Sequence, residues 1–162
     1  MSKKKSKQAE DSNFRIVSTN RKARHEYHLL EMFEAGLVLT GTEIKSVRAN
    51  QVSLRQAFVV HRDGELWLMD ANIAPYERGN RENHEPMQPR KLLLHRREIE
   101  KIVRRLTEKG LTCVPTRLYL KRGRAKVEIA LAQGKKQYDK RATLAKRDSQ
   151  RQIERAVKER VY

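Results

Sequence analysis

Five histidines are the first candidates for chemistry: His25, His28, His61, His84 and His95. Imidazoles scattered along a chain are far more often structural or solvated than catalytic. His25 and His28 lie three apart in a segment that reads as a strand, so they point to opposite faces and share no metal. The single cysteine, Cys113, permits no CxxC pair, and there is no HExxH run, which removes the common zinc frameworks. No GxxxxGKS or GxxxxGKT loop suggests nucleotide hydrolysis. An acid–base nuclease using His61 or His95 with a lysine stays open as the catalytic alternative. The expectation is a binding protein and not an enzyme, with no metal and no cofactor.

The chemistry that the composition supports is polyanion binding. The 162 residues carry 37 Lys and Arg against 20 Asp and Glu, a formal net charge of +17. Residues 1–12 hold four lysines against two acids, and residues 133–162 hold ten basic against four acidic side chains. The other 23 basic and 14 acidic side chains lie in 13–132, so the body is basic as well as the ends. Such a distribution predicts a nucleic-acid partner. In RLYLKRGRAKVEIAL, a turn at Arg122-Gly123 sets Tyr119 opposite Lys126. Alternation places Leu118, Leu120, Ala125, Val127 and Ile129 on one face, and Arg117, Tyr119, Lys121, Arg124, Lys126 and Glu128 on the other. An aromatic among cations suits RNA, and equally a solvated strand face rich in Lys.

The elements that must position these residues are short strands with two intervening helices. YHLLEMF reads as a strand that Glu34-Ala35-Gly36 can turn. Thr40 with Glu43 makes a capping-box pattern for a short helix, with Ile44 and Val47 inward and Glu43, Lys45 and Arg48 outward. Asp63-Gly64 suits a two-residue hairpin turn that pairs Arg62 with Glu65, Val60 with Trp67 and Val59 with Leu68. Both faces of that hairpin are apolar, so both are expected to be covered. PYERGNRENHEPMQPRK reads as a surface loop. Ile99, Ile102, Val103 and Leu106 form a helical stripe that Gly110 can terminate. LTCVP reads as a separate strand, with Cys113 a buried small hydrophobe. About six or seven strands at this spacing predict a mainly β fold, a small closed antiparallel barrel.

The chain divides into a disordered basic arm (1–12), the barrel (13–132) and a basic tail (133–162). The arm, MSKKKSKQAEDS, has no apolar run of the kind a signal peptide needs, and no stretch near 20 residues suits a membrane. One cysteine fits a reducing cytoplasm. The tail favours helix by propensity but has a thin apolar stripe of Ile153, Ala156 and Val157, so it is expected to be disordered alone.

Four stretches together carry a resemblance: NRKARHEY (Asn20–Tyr27), FEAGLVLTGTEIKSVRA (Phe33–Ala49), RKLLLHRREI (Arg90–Ile99) and KVEIALAQGKKQYDKR (Lys126–Arg141). From about Asn13 to Arg160 the chain resembles the bacterial SsrA-binding (small protein B) family. The resemblance implies an antiparallel OB-like barrel with about three helices and a basic C-terminal tail. It implies an RNA-binding monomer that takes the tRNA-like domain of transfer-messenger RNA (SsrA) into stalled ribosomes for trans-translation, in place of the missing anticodon arm. The tail would lie as a helix in the empty mRNA channel, near small-subunit RNA and the A site. RNA-binding positions carried over are Asn20, Glu34, Gly36, Leu93, Lys126 and Lys135, joined by Tyr119 from the strand pattern. The ribosome-engaging tail comprises Lys136, Tyr138, Asp139, Lys140, Arg141, Lys146, Arg147, Arg151, Ile153 and Arg155. Tyr138 stands where many members carry histidine; either ring can stack on a base. The alternative is a generic basic OB-like RNA-binding protein of the ribosome or RNA metabolism.

Overall fold

A computed structural model describes residues 13–79, 82–108 and 110–160, without the side chains of Gln137, Tyr138 and Arg160. The basic arm expected at 1–12 lies outside the described residues. The backbone of the fold is the hairpin of β8 (Leu111–Lys121) and β9 (Arg124–Gly134), turned by Arg122 and Gly123, both at positive φ. Its alternation holds: Leu118, Leu120, Ala125, Val127, Ile129 and Leu131 are buried together in the barrel core. LTCVP is the first half of β8 and not a strand of its own. A register shift between Pro115 and Arg117 lets a proline sit in a strand that is paired on both sides.

β9 pairs with β2 (Tyr27–Leu37), β2 with β7 (Arg90–Leu93), and β7 with β5 (Glu65–Met69). β5 pairs with β4 (Phe58–Arg62), which returns to β8 at Val59 and Cys113. The sheet thus closes on itself as an OB-like ring, with β1 (Phe14–Thr19) added to the outer end of β8. β3 (Val52–Ser53) and β6 (Asn72–Ile73) form a separate two-residue pairing, which brings the described strands to nine. β2 does not turn at Glu34-Ala35-Gly36. Those residues pair with Glu128, Val127 and Lys126 on β9, and Gly36 pairs with Leu93 on β7 as well, which keeps the strand extended. The β4–β5 hairpin has the expected register across Asp63 and Gly64, both at positive φ.

The helices number four among the described residues. α1 (Arg21–Glu26) falls on NRKARHEY, so His25 is helical, and of the pair His25 and His28 the second alone is on a strand. α1 packs Ala23 with Val114, Ala132, Tyr27 and Leu29 on the outside of β8 and β9. α2 (Gly41–Arg48) has the expected capping box between Thr40 and Glu43. Glu43 is not exposed: at 1% relative exposure it faces Arg90, itself 2% exposed, at 2.7 Å. The capping box turns its carboxylate back into the protein. Burial pushes the Glu43 carboxyl up, but Thr40 N–H, Arg90 and Gln88 outweigh burial and hold it below the usual range. Arg90 also donates to the carbonyls of Ala71, Glu85 and Pro86, and His84 contacts Thr42 Oγ1 and Ile73 O. These bonds pin the described part of the long loop before β7.

α3 (Arg96–Leu106) buries Ile99 and Ile102 against the core, with Val103 and Leu106 beside them. It packs on β8 and β9 and touches the β4–β5 hairpin through Arg96, which donates to Gly64 O at 3.2 Å; the hairpin's outer face stays partly open, with Phe58 at 37% exposure. α3 ends at Leu106, and Gly110, at positive φ, turns the chain into β8 and does not cap the helix. α4 (Gln137–Arg160) is the tail. β9 runs to Gly134, so the tail departs two residues later than expected.

Candidate nucleic-acid interface

Strand register assembles residues that are far apart in the chain into one row. Leu93 on β7 is opposite Gly36 on β2, Gly36 is opposite Lys126 on β9, and Lys126 is opposite Tyr119 on β8. Four of the expected site residues therefore lie side by side across four strands. Glu34 is two residues from Gly36 and on the same face, because side chains on a strand alternate. Leu93 is 53% exposed, a large apolar side chain left open to solvent at the row's end. A Cβ on Gly36 would lie 3.2 Å from Leu93 Cβ, so the glycine allows the close approach of β7.

Tyr119 differs from its expected use. It is 3% exposed, with the Phe14 ring centroid 4.8 Å away and the Arg117 guanidinium 5.5 Å above the ring. The ring is covered and is not a platform for a base. Its hydroxyl instead donates a short hydrogen bond to Glu34 Oε2. That bond is the largest cause holding the Glu34 carboxyl below its usual range. Partial burial opposes it, and Lys121 and Lys126 reinforce it. Lys121 Nζ is 3.6 Å from Glu34 Oε1. Burial pushes the Tyr119 phenol up, with Glu34 adding to the effect, so the hydroxyl stays a donor. Behind this pair, Glu128 accepts from Thr116 Oγ1 at 2.6 Å and from Arg117 at 3.0 Å, which holds the guanidinium over the tyrosine.

The result is an ionised acceptor flanked by Lys121 and Lys126 where two open clefts adjoin, one of them lined also by Met32, Leu93 and Leu94. Chemically it can accept hydrogen bonds from base N–H groups, meet phosphates with two cations and pack apolar surface against a ring. Lys121 and Met32 are additional to the expected set. Their i, i+2 relation to Tyr119 and Glu34 was the available signal.

Two expected residues lie elsewhere. Asn20 is 3% exposed; its amide donates to Leu54 O at 3.1 Å and Pro115 O at 2.9 Å and caps Ala23 N. Its side chain is consumed inside the protein. Lys135 follows the other end of β9, about 30 Å along the strand from Lys126 at 3.3 Å per residue. In α4, Asp139 is close to His28, while Lys146, Arg147, Arg151, Ile153 and Arg155 are exposed. The Tyr138 side chain lies outside the described residues.

Among the described residues, no group of three His, Cys, Asp or Glu could hold a metal ion, and no helix is long and apolar enough to cross a membrane. Cys113 is buried, and burial pushes its thiol up to about 12.

The SmpB protein family model matches residues 17–159, which takes in every residue of this face. This chain belongs to the SmpB family. Among similar members, the SsrA-binding protein of Carboxydothermus hydrogenoformans is 55% identical over 146 residues, covering 90% of this chain and 98% of that one. The SsrA-binding protein of Roseiflexus sp. is 60% identical over 147 residues, covering 90% and 93%. A solved structure described as "tmRNA-SmpB: a journey to the center of the bacterial ribosome" matches with a TM-score of 0.64 at 48% identity, over 74% of this chain and 85% of that one. The SmpB match extends through most of α4, so the tail belongs to the family pattern along with the barrel.

Proposed function

We propose that this protein binds the tRNA-like domain of transfer-messenger RNA and delivers it to stalled ribosomes for trans-translation, acting as a monomer in the cytoplasm. The observation that carries this reading is the row Leu93–Gly36–Lys126 with Glu34 beside it, in a chain of the SmpB family. Glu34 accepts base N–H groups at an unpaired loop, Lys121 and Lys126 take the adjoining phosphates, and Leu93 packs on a base. Tyr119 supports the site by holding the Glu34 carboxylate ionised and in place. The protein binds and does no chemistry on the RNA, which stays intact in its presence.

The tail enters the empty mRNA channel near the A site. Every described side chain beyond Thr143 is exposed, including Leu144 at 46%, Ile153 at 63% and Val157 at 57%. Ordering a residue costs about 1–2 kcal/mol of backbone entropy, and these positions return little burial. The distal tail therefore frays when free and becomes a stable helix among ribosomal phosphates, with Tyr138 stacking beside Asp139, Lys140 and Arg141.

A gel-shift comparison of transfer-messenger RNA with a tRNA of equal size tests the reading. Preference for transfer-messenger RNA supports it; equal affinity makes the protein a generic basic RNA binder. Cleaved RNA after incubation points to the nuclease alternative.

A further inference from the structure

The tail helix leaves the barrel through a corner built by its own residues. Lys135 backbone N–H donates to Glu26 O at 2.8 Å, and its Nζ donates to Arg24 O and to Thr143 Oγ1, each at 3.1 Å. Both carbonyls belong to the last turn of α1, where unsatisfied acceptors favour a cation. Thr143 Oγ1 in turn donates to Asp139 O at 2.9 Å. Asp139 Oδ2 accepts from Lys136 N at 3.3 Å, satisfying a donor at the start of α4. The same oxygen is 3.4 Å from His28 Nε2 on β2. The first turns of α4 are thus tied to both α1 and β2.

We propose that Lys135, His28, Asp139 and Thr143 form a joint that aims the tail helix, in which Asp139 and Thr143 serve as positioning residues. The inference rests on the reading that the tail must enter a channel on the ribosome. α4 has 24 residues and is about 36 Å long at 1.5 Å per residue. An angular error of about 10° at its base moves the far end by about 6 Å, about twice the length of a hydrogen bond. A lysine whose Nζ bonds a carbonyl and a hydroxyl within the protein is engaged in the fold. Thr143 has no charge to offer a phosphate, so its substitution separates aim from electrostatics.

The test uses the full chain with nitroxides on Ser53→Cys and Ala142→Cys, both exposed positions; the native cysteine is buried and does not compete for label. Pulsed EPR reads the distribution of distances between barrel and tail. The same variants are titrated with transfer-messenger RNA and assayed for peptide tagging on stalled ribosomes. Thr143→Val and His28→Ala should each broaden the distribution and lower tagging several-fold, with RNA affinity nearly unchanged. His28→Gln, which keeps a donor toward Asp139, should stay close to the parent protein. An unchanged distribution in both variants overturns the joint. A loss of RNA affinity in step with tagging also overturns it, because the residues would then be RNA ligands. If the parent protein shows no preference for transfer-messenger RNA, the functional reading fails instead, and the distance distributions still decide the joint.

Discussion

Tyr119 on β8 donates its hydroxyl to Glu34 on β2, across the intervening strand β9, and so fixes an ionised acceptor on a basic face. The pair explains why a carboxylate persists beside Lys121 and Lys126 on a basic face. The phenol does most to keep it charged and also aims it, and the two lysines add to the effect.

Tyr119→Phe removes that bond. A hydrogen bond to a charged group is worth about 1.5–3 kcal/mol, and solvent screening at the half-exposed Glu34 reduces this to about 1 kcal/mol. Glu34 has a lowered folded pKa, so the stability it contributes is present above its unfolded value and is lost as pH falls through the folded one. Urea unfolding should therefore show a gap between Tyr119→Phe and the parent near neutral pH that closes in acid. A gap independent of pH would mean that the ring's packing, not its hydroxyl, was lost.

RNA affinity should fall steeply with salt. If roughly six phosphates are neutralised, the loss between 50 and 200 mM salt is about a thousandfold. Lys126→Ala and Lys121→Ala should each lower the log–log slope by about one. Glu34→Ala should weaken binding with the slope nearly unchanged, because a carboxylate releases no phosphate counterion. Gel-shift titrations at several salt concentrations distinguish these cases.

Gly36→Ala puts a Cβ 3.2 Å from Leu93 Cβ, a tighter contact than side chains normally make. Leu93 Cβ does not move when its side chain rotates, so the backbone of β7 must give by a few tenths of an ångström there. The variant should fold with a stability change under about 1 kcal/mol but bind RNA several-fold more weakly, since the cleft floor rises and the leucine moves. Thermal unfolding alongside affinity separates the two effects.

Glu43→Ala leaves Arg90 buried with its charge uncompensated. Breaking such a pair from one side costs about 3–5 kcal/mol. Carbonyls of Ala71, Glu85 and Pro86 still solvate the guanidinium, which places the expected loss at the lower end, about 3 kcal/mol. Urea denaturation measures it. A loss below about 1 kcal/mol would show that the carbonyls alone satisfy Arg90.

Ile153→Pro tests the tail as a helix. Ile153 is 63% exposed, so no core is lost, and the change acts through the backbone at about 3 kcal/mol. Binding of transfer-messenger RNA should be unaffected and peptide tagging on stalled ribosomes abolished. Normal tagging would mean that the tail needs only its charge. In the free protein, amide shifts should be helical through about Thr143 and approach random coil beyond it.

Much of the fold was legible where a local rule sufficed. The Asp63-Gly64 and Arg122-Gly123 hairpins, the Thr40 capping box and the Ile99–Leu106 stripe follow from turn chemistry and periodicity, which act within a few residues. The readings that failed depended on distant partners. Glu34-Ala35-Gly36 looks like a turn until β7 and β9 are present to hold it extended. Pro115 ends a strand unless a bulge absorbs it. Glu43 belongs on a surface until Arg90 arrives from 47 positions later.

The sequence by itself determined that this protein is a basic, mainly β chain with a helix-prone cationic tail, and its motifs pointed to a family of RNA binders. Charge, alternation and propensity are properties of neighbouring residues and survive without a fold. Only the tertiary structure decided that Leu93, Gly36, Lys126 and Tyr119 share a row, that Asn20 and the Tyr119 ring are interior, and that Lys135 holds the base of the tail. Those assignments depend on strand register and helix docking. Both arise from closing a ring between segments separated by up to about a hundred positions, over which no local preference reaches.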